Sequence, residues 1–199
     1  MHVPAEPKTC TDTTPNMNRS AQTAPRPAAL TGPSGAAQCR VETPLGPMTA
    51  LATDTGLAGL WFDAQAHHPG TLQAPVDADH PHLRAAQRWL GAYWAAAGGS
   101  AMQAPEPIPL DLRGTPFQRA VWAALQTIPA GATSTYAAIA AAAGSPAAVR
   151  AAGAAIGRNP VSLIVPCHRV LGRDGALTGY AGGLERKRAL LTHEGAIPA

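Results

Sequence analysis

The fold of the C-terminal half is decided by residues 134–157, which read STYAAIAAAAGSPAAVRAAGAAIG. Ser134 can cap a first helix that Gly144 ends, and Ser145 can open a second helix that Gly157 ends. Two short helices joined by a tight glycine-containing turn are typical of a helix-turn-helix. The stretch therefore predicts a helical unit of this kind in the second half of the chain.

The second of these helices carries almost no large side chains. Alanine and glycine surround one long residue, Arg150. A helix that reads base edges in the major groove usually projects long polar side chains, so a bare helix instead favours close approach of its backbone to phosphates or to a shallow groove. Arg150 would then fill a gap in a base stack. The alternative is an alanine-rich core helix with Arg150 on its solvent side, and the helix alone does not separate the two.

The flanking segments extend the helical region on both sides. Thr115 can cap a helix that begins at Pro116. Its predicted apolar face consists of Phe117, Val121, Trp122 and Leu125. After the helix-turn-helix come the apolar run VSLIV at 161–165, the sequence PCHRV at 166–170, a glycine-rich stretch, and a last helix that reads LERKRALLTHE.

The PCHRV sequence contains a candidate nucleophile, Cys167. A free cysteine is mostly protonated at neutral pH, and a nearby histidine or arginine lowers its pKa. His168 and Arg169 are adjacent in sequence, but in an extended strand their side chains would point away from Cys167, so pairing requires a turn or a water. The alternative is a structural buried cysteine, which is the commoner fate of a lone intracellular cysteine.

Three further polar residues each have a structural and a functional interpretation. Glu194 closes the last helix, where a carboxylate is electrostatically unfavourable; this hints at a partner such as His168, and the alternative is a solvated terminus. Asn159 precedes a proline and is either a turn residue or a brace for the cysteine loop. Tyr136, near the start of the helix-turn-helix, is either a core residue or a functional one.

The first half of the chain predicts a β-rich unit. Residues 39–62 read CRVETPLGPMTALATDTGLAGLWF and alternate short apolar runs with turn signals, which predicts a hairpin or a three-stranded meander. Its apolar anchors are Leu57, Leu60, Trp61 and Phe62. A polar loop at 63–81 leads to a predicted helix at 82–96. The apolar face of that helix consists of Leu83, Ala86, Leu90 and Tyr93.

Composition divides the chain into four segments. Residues 1–37 are rich in Pro, Thr and Ala and are expected to be disordered, with Met17 as an alternative start. Residues 38–97 form the β-rich domain, residues 98–112 a linker, and residues 113–199 the C-terminal domain. The C-terminal domain carries nine Lys or Arg and three Asp or Glu, a net charge of +6, whereas residues 1–112 carry −3. This asymmetry favours a polyanionic partner for the C-terminal half.

Several classes of protein are excluded. No apolar run approaches the roughly 18 residues of a membrane span, and the N-terminus lacks the apolar core of a secretory signal. Three widely spaced cysteines, Cys10, Cys39 and Cys167, argue against a disulfide framework. Four histidines lack a carboxylate or cysteine at ligand spacing and are interpreted as surface residues: His67, His68, His80 and His82. We expect a cytoplasmic protein with no metal and no cofactor.

Taken together, five segments resemble the O6-alkylguanine-DNA alkyltransferases, also called methylated-DNA–protein-cysteine methyltransferases. They run in order through 114–195 and read GTPFQRAVWAALQTIPAG, TSTYAAIAAAAG, AAVRAAGAAIGRNP, IVPCHRVLGRDGALTGYAGG and ERKRALLTHEG. The resemblance covers about 40–195 and implies an α+β protein: an N-terminal β-rich α/β domain of ribonuclease H-like type, then a helical winged-helix-like domain that binds DNA and accepts the alkyl group.

The resemblance also implies site residues. Cys167 matches the alkyl acceptor, and His168 matches the histidine that deprotonates it through a water. Glu194 matches the carboxylate that orients this histidine. Asn159 matches the asparagine that braces the active-site turn. Tyr136 matches the tyrosine that donates toward the guanine, and Arg150 the finger that replaces the extruded base. The other implied DNA contacts are Ala148, Ala151, Gly153 and Arg158. The other implied pocket residues are Val170, Tyr180 and Ala181, where some relatives have serine instead of Ala181.

The implied reaction is a single transfer of an alkyl group from O6-alkylguanine in double-stranded DNA to Cys167, after minor-groove binding and extrusion of the nucleotide. The protein would act once, as a monomer. The range of alkyl groups and activity on O4-alkylthymine stay open. Two competing classes are a DNA-binding regulator with an inert Cys167 and a cysteine hydrolase that turns over without DNA.

Overall fold

The computed structural model describes residues 35–96 and 106–198, and its N-terminal half is built on an antiparallel sheet. The three strands are β1 (Ala37–Val41), β2 (Met48–Thr53) and β3 (Gly56–Phe62), in the order β1-β2-β3. The predicted meander is confirmed, and all four predicted apolar anchors are buried. Of the segment expected to be disordered, residues 1–37, residues 1–34 lie outside the described residues; the expectation is wrong for its end, because Ala37 begins β1.

One helix covers this sheet. Helix α1 (Pro81–Ala95) has a proline in its first turn, where the missing N–H costs no helical hydrogen bond. Its buried residues are those of the predicted apolar face: Leu83, Ala86, Leu90 and Tyr93. The helical periodicity therefore predicted which side of α1 packs on the sheet.

The C-terminal half is mainly helical. Its elements are α2 (Pro116–Gln126), β4 (Ser134–Thr135), α3 (Tyr136–Ala142), α4 (Val149–Gly157), β5 (Val170–Leu171) and α5 (Leu184–His193). Helix α2 begins as predicted, because the Thr115 hydroxyl accepts from the Gln118 backbone N–H (3.2 Å) and the Gln118 side chain accepts from the Thr115 N–H (2.9 Å). The Trp122 indole of α2 donates to the Ala155 carbonyl of α4 (2.9 Å), which fixes the packing of these two helices.

Two predicted helix starts were wrong. Thr135, and not Ser134, caps α3 by accepting from the Ala138 N–H (3.1 Å), because Ser134 pairs with Val170 in the short parallel sheet β4-β5. Helix α4 begins at Val149 instead of Ser145. The reason is that residues 145–148 form a separate turn, in which the Ala148 N–H donates to the Ser145 carbonyl (2.9 Å).

The two halves share one core. The backbone of β3 exchanges hydrogen bonds with the segment before Cys167: Leu60 N–H donates to the Pro160 carbonyl and Ser162 N–H donates to the Leu60 carbonyl, both at 2.8 Å. In the same way, the backbone of Leu57 in β3 exchanges hydrogen bonds with residues 109–111. A single cluster of buried apolar residues runs from β1 to α5. The apolar run at 161–165 is thus largely buried, as expected. It does not form a strand, and it pairs with β3 through a single bridge between Leu60 and Val161.

Within residues 35–96 and 106–198, no helix is long and apolar enough to cross a bilayer.

Candidate active site

Cys167 lies in a single 3₁₀ turn, Cys167–Arg169, and is 4% exposed. Its side chain contributes to a cavity of about 230 Å³ between the glycine-rich stretch and helix α4. The other lining residues are Ala66, His67, Tyr136, Gly153, Ile156, Gly157, Gly179, Tyr180 and Ala181. The turn also explains how residues 167–169 meet their partners, since an extended strand would have separated them.

Asn159 braces the cysteine loop. Its Nδ2 donates to the Val165 carbonyl (2.7 Å) and to Sγ of Cys167 (3.1 Å), and its Oδ1 accepts from the Val161 N–H (3.0 Å). All three contacts are buried. One side chain therefore closes the loop from 159 to 167 and supplies a hydrogen-bond donor to the sulfur.

His168 is held in one orientation by Glu194. Nε2 of His168 lies 2.8 Å from Oε1 of Glu194, and both side chains are fully buried. Burial lowers the pKa of His168 despite the hydrogen bond from the ring to Glu194, so the ring is neutral at pH 7. The neutral ring donates from Nε2, which leaves Nδ1 as a buried acceptor without a protein partner. Nδ1 is the nitrogen available to take a proton.

Glu194 carries more hydrogen bonds than the sequence suggested. Arg169 donates through Nε to Oε2 and through Nη2 to Oε1, both at 2.8 Å, and the Tyr93 hydroxyl donates to Oε1 at 2.9 Å. Burial alone would raise the pKa of Glu194, but the hydrogen bonds from His168 and Arg169 outweigh it and bring the pKa to about 2. A permanent carboxylate thus sits beneath His168, and the expectation of a solvated helix end is excluded.

Sequence analysis missed Arg169, Tyr93 and Lys187. Arg169 follows His168 directly, but Tyr93 is 101 residues from Glu194 and belongs to α1, so no local pattern links them. Lys187 is fully buried in α5, and its ammonium donates to the carbonyls of Val170 (2.5 Å) and Thr178 (2.6 Å). Burial lowers the pKa of Lys187 to about 8, so it is still mostly charged at pH 7.

The thiol of Cys167 is not activated in the free protein. Burial raises its pKa, and this outweighs the lowering effects of the Asn159 hydrogen bond and of the charge on Lys187. Neighbouring groups do favour the thiolate, but burial outweighs them. Removal of the proton needs a base, and the open Nδ1 of His168 is the candidate.

The predicted pocket residues are partly confirmed as neighbours of the cavity. Tyr136 lines it, and its hydroxyl lies 3.2 Å from each of the Thr178 and Gly179 carbonyls. Tyr180 also lines it, with a buried hydroxyl that has no partner, and so does Ala181. Val170 does not: it is fully buried in β5, and its carbonyl accepts from Lys187.

The predicted DNA contacts lie on helix α4 and at its ends. Arg150, Ala151 and Arg158 are exposed, Ala148 is half-buried, and Gly153 lines the cavity. The opposite face of α4 packs inward through Ala152, Ala155 and Ile156. Helix α4 is therefore a core helix on one side and a bare surface with one arginine on the other, so both interpretations of the sequence describe part of it.

The described residues contain no group of three or more His, Cys, Asp or Glu that could hold a metal. Of the four histidines interpreted as surface residues, His67 is exposed and His68, His80 and His82 are half-buried. His67 belongs to the lining of the Cys167 cavity, which the sequence did not indicate.

A helix-turn-helix lies beside a cavity that contains a buried cysteine, with a neutral histidine and a fixed carboxylate behind it, an arrangement suited to a DNA-binding protein with thiol chemistry. Comparisons with known proteins agree. Residues 116–196 match the family model of the DNA-binding domain of 6-O-methylguanine DNA methyltransferase. A methylated-DNA–protein-cysteine methyltransferase of Mycolicibacterium paratuberculosis is 45% identical over 155 residues, covering 77% of this chain and 89% of the relative.

Solved structures agree as well. The O6-methylguanine methyltransferase of Mycobacterium tuberculosis superposes with a TM-score of 0.69 and 42% identity, covering 82% of this chain and 96% of the other. The same organism's OGT in complex with DNA gives a TM-score of 0.67 and 40% identity, covering 81% and 93%. The chain belongs to the methylated-DNA–protein-cysteine methyltransferase family.

Proposed function

We propose that this protein repairs DNA by moving the alkyl group of O6-alkylguanine onto Sγ of Cys167, once per molecule. The observation that carries the proposal is the placement of this sulfur at a cavity, with Asn159 donating to it and a neutral His168 next in the chain. A base-binding cavity that ends in a cysteine suits an acceptor of an alkyl group from an extruded base.

The partner is double-stranded DNA. Of the nine basic residues in 113–199, Arg169 and Lys187 are buried and serve the site, whereas six are exposed. The exposed ones are Arg113, Arg119, Arg150, Arg158, Arg173 and Arg188. Exposed arginines bind phosphates, and the bare face of α4 has too few long polar side chains for base reading, so we infer minor-groove binding with little sequence preference. Ala148, Ala151 and Gly153 let the α4 backbone approach the DNA.

The target base must leave the duplex to reach the sulfur. Arg150 stands alone on the exposed face of α4 and would occupy the gap in the base stack, while the base enters the cavity between Tyr136 and Tyr180. In the free protein the Tyr136 hydroxyl is occupied by backbone carbonyls. It would turn from them to donate to the guanine as negative charge develops on the base.

The transfer balances with the groups in place. The thiol proton of Cys167 passes through a water to Nδ1 of His168, and the Glu194 carboxylate stabilises the imidazolium. The thiolate attacks the alkyl carbon; a carbon–sulfur bond forms as the carbon–oxygen bond breaks, and the electron pair stays with guanine. Tyr136 supplies the proton that the guanine anion takes up, and the proton held by the His168 imidazolium is released to solvent as solvent returns one to the Tyr136 oxygen. The thioether product is stable, so the protein acts once.

The finer architecture belongs to the same proposal. We infer a ribonuclease H-like arrangement for residues 38–97, a linker at 98–112, and a winged-helix-like DNA-binding domain at 113–199. We also infer that the protein acts in the cytoplasm, as a monomer and without a cofactor. The inference rests on the sheet covered by α1 in the first half and on the helix pair α3 and α4 in the second.

The test is the mass of the intact protein after incubation with excess duplex DNA containing O6-methylguanine. We expect one methyl group per molecule, on the peptide that contains Cys167, and none for Cys167→Ser. Cys39→Ser is the matched control, because Cys39 is a buried thiol whose pKa burial also raises but which lies in β1, away from the cavity. Turnover beyond one equivalent would support a hydrolase instead, and sequence-specific DNA binding without methylation would support a regulator.

A further inference from the structure

The cavity at Cys167 has one wall that does not come from the C-terminal half. Most of its lining belongs to residues 136–181, but Ala66 and His67 come from the loop that follows β3. This loop, residues 63–67, is called here the wall loop. The predicted site contained no residue before Tyr136, so the wall loop is an addition to it.

The wall loop is hydrogen-bonded to two segments near Cys167. The Gln65 side chain is buried, and its Oε1 accepts from the Phe62 N–H (2.9 Å) and from the Ser162 hydroxyl (3.1 Å), five residues before Cys167. The Ala66 N–H donates to the carbonyl of Ala181 (2.8 Å), a lining residue of the glycine-rich stretch. These bonds fix the loop relative to the cysteine and to the glycine-rich stretch.

His67 adopts a backbone conformation that is unusual for a residue with a side chain. Its φ is 62°, in the left-handed region, which persists only where the surroundings determine it and which is concentrated at ligand sites. The next residue is anchored: the His68 ring packs edge-on against Trp61 and its Nδ1 accepts from the Gly70 N–H (3.0 Å). Between the bonded Ala66 and the anchored His68, His67 lines the cavity and is itself exposed to solvent.

The volume of the cavity is small compared with pockets that enclose whole ligands. Its volume of about 230 Å³ lies below the roughly 300–1,000 Å³ of pockets that enclose drug-sized ligands. A guanine base with its alkyl group that enters this volume lies close to the lining side chains. Several lining residues are glycines, which have no side chain to fill the cavity. The larger lining side chains therefore determine how much space is left for the alkyl group once the base is bound.

We propose that His67 is a specificity-determining residue that limits the size of the alkyl group that Cys167 accepts. The inference rests on the proposed function and deepens it, because it assigns the upper size limit to the N-terminal half. Small alkyl groups pass beneath the imidazole, whereas bulky groups must displace it.

The experiment measures transfer rates from two duplex oligonucleotides, one with O6-methylguanine and one with O6-benzylguanine. The proteins are the full-length wild type, His67→Ala and His67→Trp. His82→Ala is the matched control, because His82 is a half-buried histidine of the same half that contacts the Asp54 carbonyl (3.4 Å) and does not line the cavity. The readout is the benzyl-to-methyl rate ratio within each protein, so a general loss of activity cancels.

We expect His67→Ala to raise the ratio about tenfold, the low end of the effect of pocket size on selectivity, and His67→Trp to lower it. His82→Ala leaves it unchanged. An unchanged ratio in His67→Ala overturns the proposal, whatever the behaviour of the larger substitution. If the wild type transfers neither group to Cys167, the proposed function itself is wrong, which is a separate and visible result.

Discussion

The amide nitrogen of Asn159 lies 3.1 Å from the sulfur of Cys167 and 2.7 Å from the Val165 carbonyl, so one side chain fixes both the loop and the nucleophile. A donor to sulfur stabilises the thiolate more than the thiol, since the negative charge forms the stronger hydrogen bond. In a site where burial raises the pKa of the cysteine, this contact counters part of that effect.

Asn159→Ala is expected to slow methyl transfer and to lower the free energy of unfolding by about 1–3 kcal/mol, because buried backbone groups lose their partners. Denaturant unfolding and the rate of Cys167 methylation are the two measurements. Asn159→Asp separates the effects: it keeps the acceptor for the Val161 N–H but places a carboxylate beside the sulfur, which raises the pKa of Cys167 further. A fast-reacting aspartate variant would contradict the role assigned to the amide.

Removing the base at His168 should change the pH dependence of the reaction. We expect His168→Gln to lower the transfer rate about a hundredfold at neutral pH, the usual contribution of a positioned base. The rate should then rise steadily with pH, because hydroxide must remove a proton from a thiol whose pKa is raised by burial. The measurement is the rate of Cys167 methylation across a pH series. A wild-type profile in the variant would show that Nδ1 takes no proton.

Arg150→Ala is expected to weaken repair of O6-methylguanine in duplex DNA more than reaction with free O6-methylguanine, since only the duplex leaves a gap in a base stack to be filled. Arg84→Ala is the control, an exposed arginine on α1 in the other half of the chain. Rates with both substrates are compared for the two variants. Equal losses on both substrates in Arg150→Ala would make Arg150 a structural residue.

Tyr136→Phe should slow transfer without unfolding the protein. In the free state the hydroxyl is bonded only to the exposed carbonyls of Thr178 and Gly179, so its loss leaves groups that water can reach. We expect an unchanged midpoint of thermal unfolding and a rate reduced by at least about tenfold, because the leaving guanine loses its donor. Unchanged rates on duplex DNA would remove the proton-donor assignment.

The sequence predicted the elements better than the contacts between them. The meander within 39–62, the buried face of α1 and the cap at Thr115 follow from local periodicity and capping chemistry, and the PCHRV segment supplied the candidate nucleophile. The hydrogen bond from Tyr93 to Glu194 and the bridge from Leu60 to Val161 join residues about a hundred positions apart. Long-range contacts of this kind carry no local signal, and the wall loop escaped prediction for the same reason.

The buried carboxylate of Glu194 should also make the fold sensitive to acid. Its pKa in the folded protein is about 2, below its ordinary value of about 4.5, so the folded state holds fewer protons than the unfolded chain between these values. Stability from this group is therefore complete above about pH 4.5 and is lost as the pH falls toward 2. The difference corresponds to about 3 kcal/mol, since one pKa unit is worth about 1.4 kcal/mol.

Glu194→Gln tests this directly. The variant should be less stable than wild type at neutral pH, because the buried Arg169 charge loses its partner, and the gap between the two proteins should narrow as the pH falls from about 4.5 toward 2. Free energies of unfolding are measured by denaturant titration at each pH. Glu185→Gln is the control for the loss of a carboxylate from the same helix, because Glu185 is exposed in its first turn. A gap between Glu194→Gln and wild type that stays constant over this pH range would mean that the carboxyl group of Glu194 titrates at its ordinary pKa in the fold.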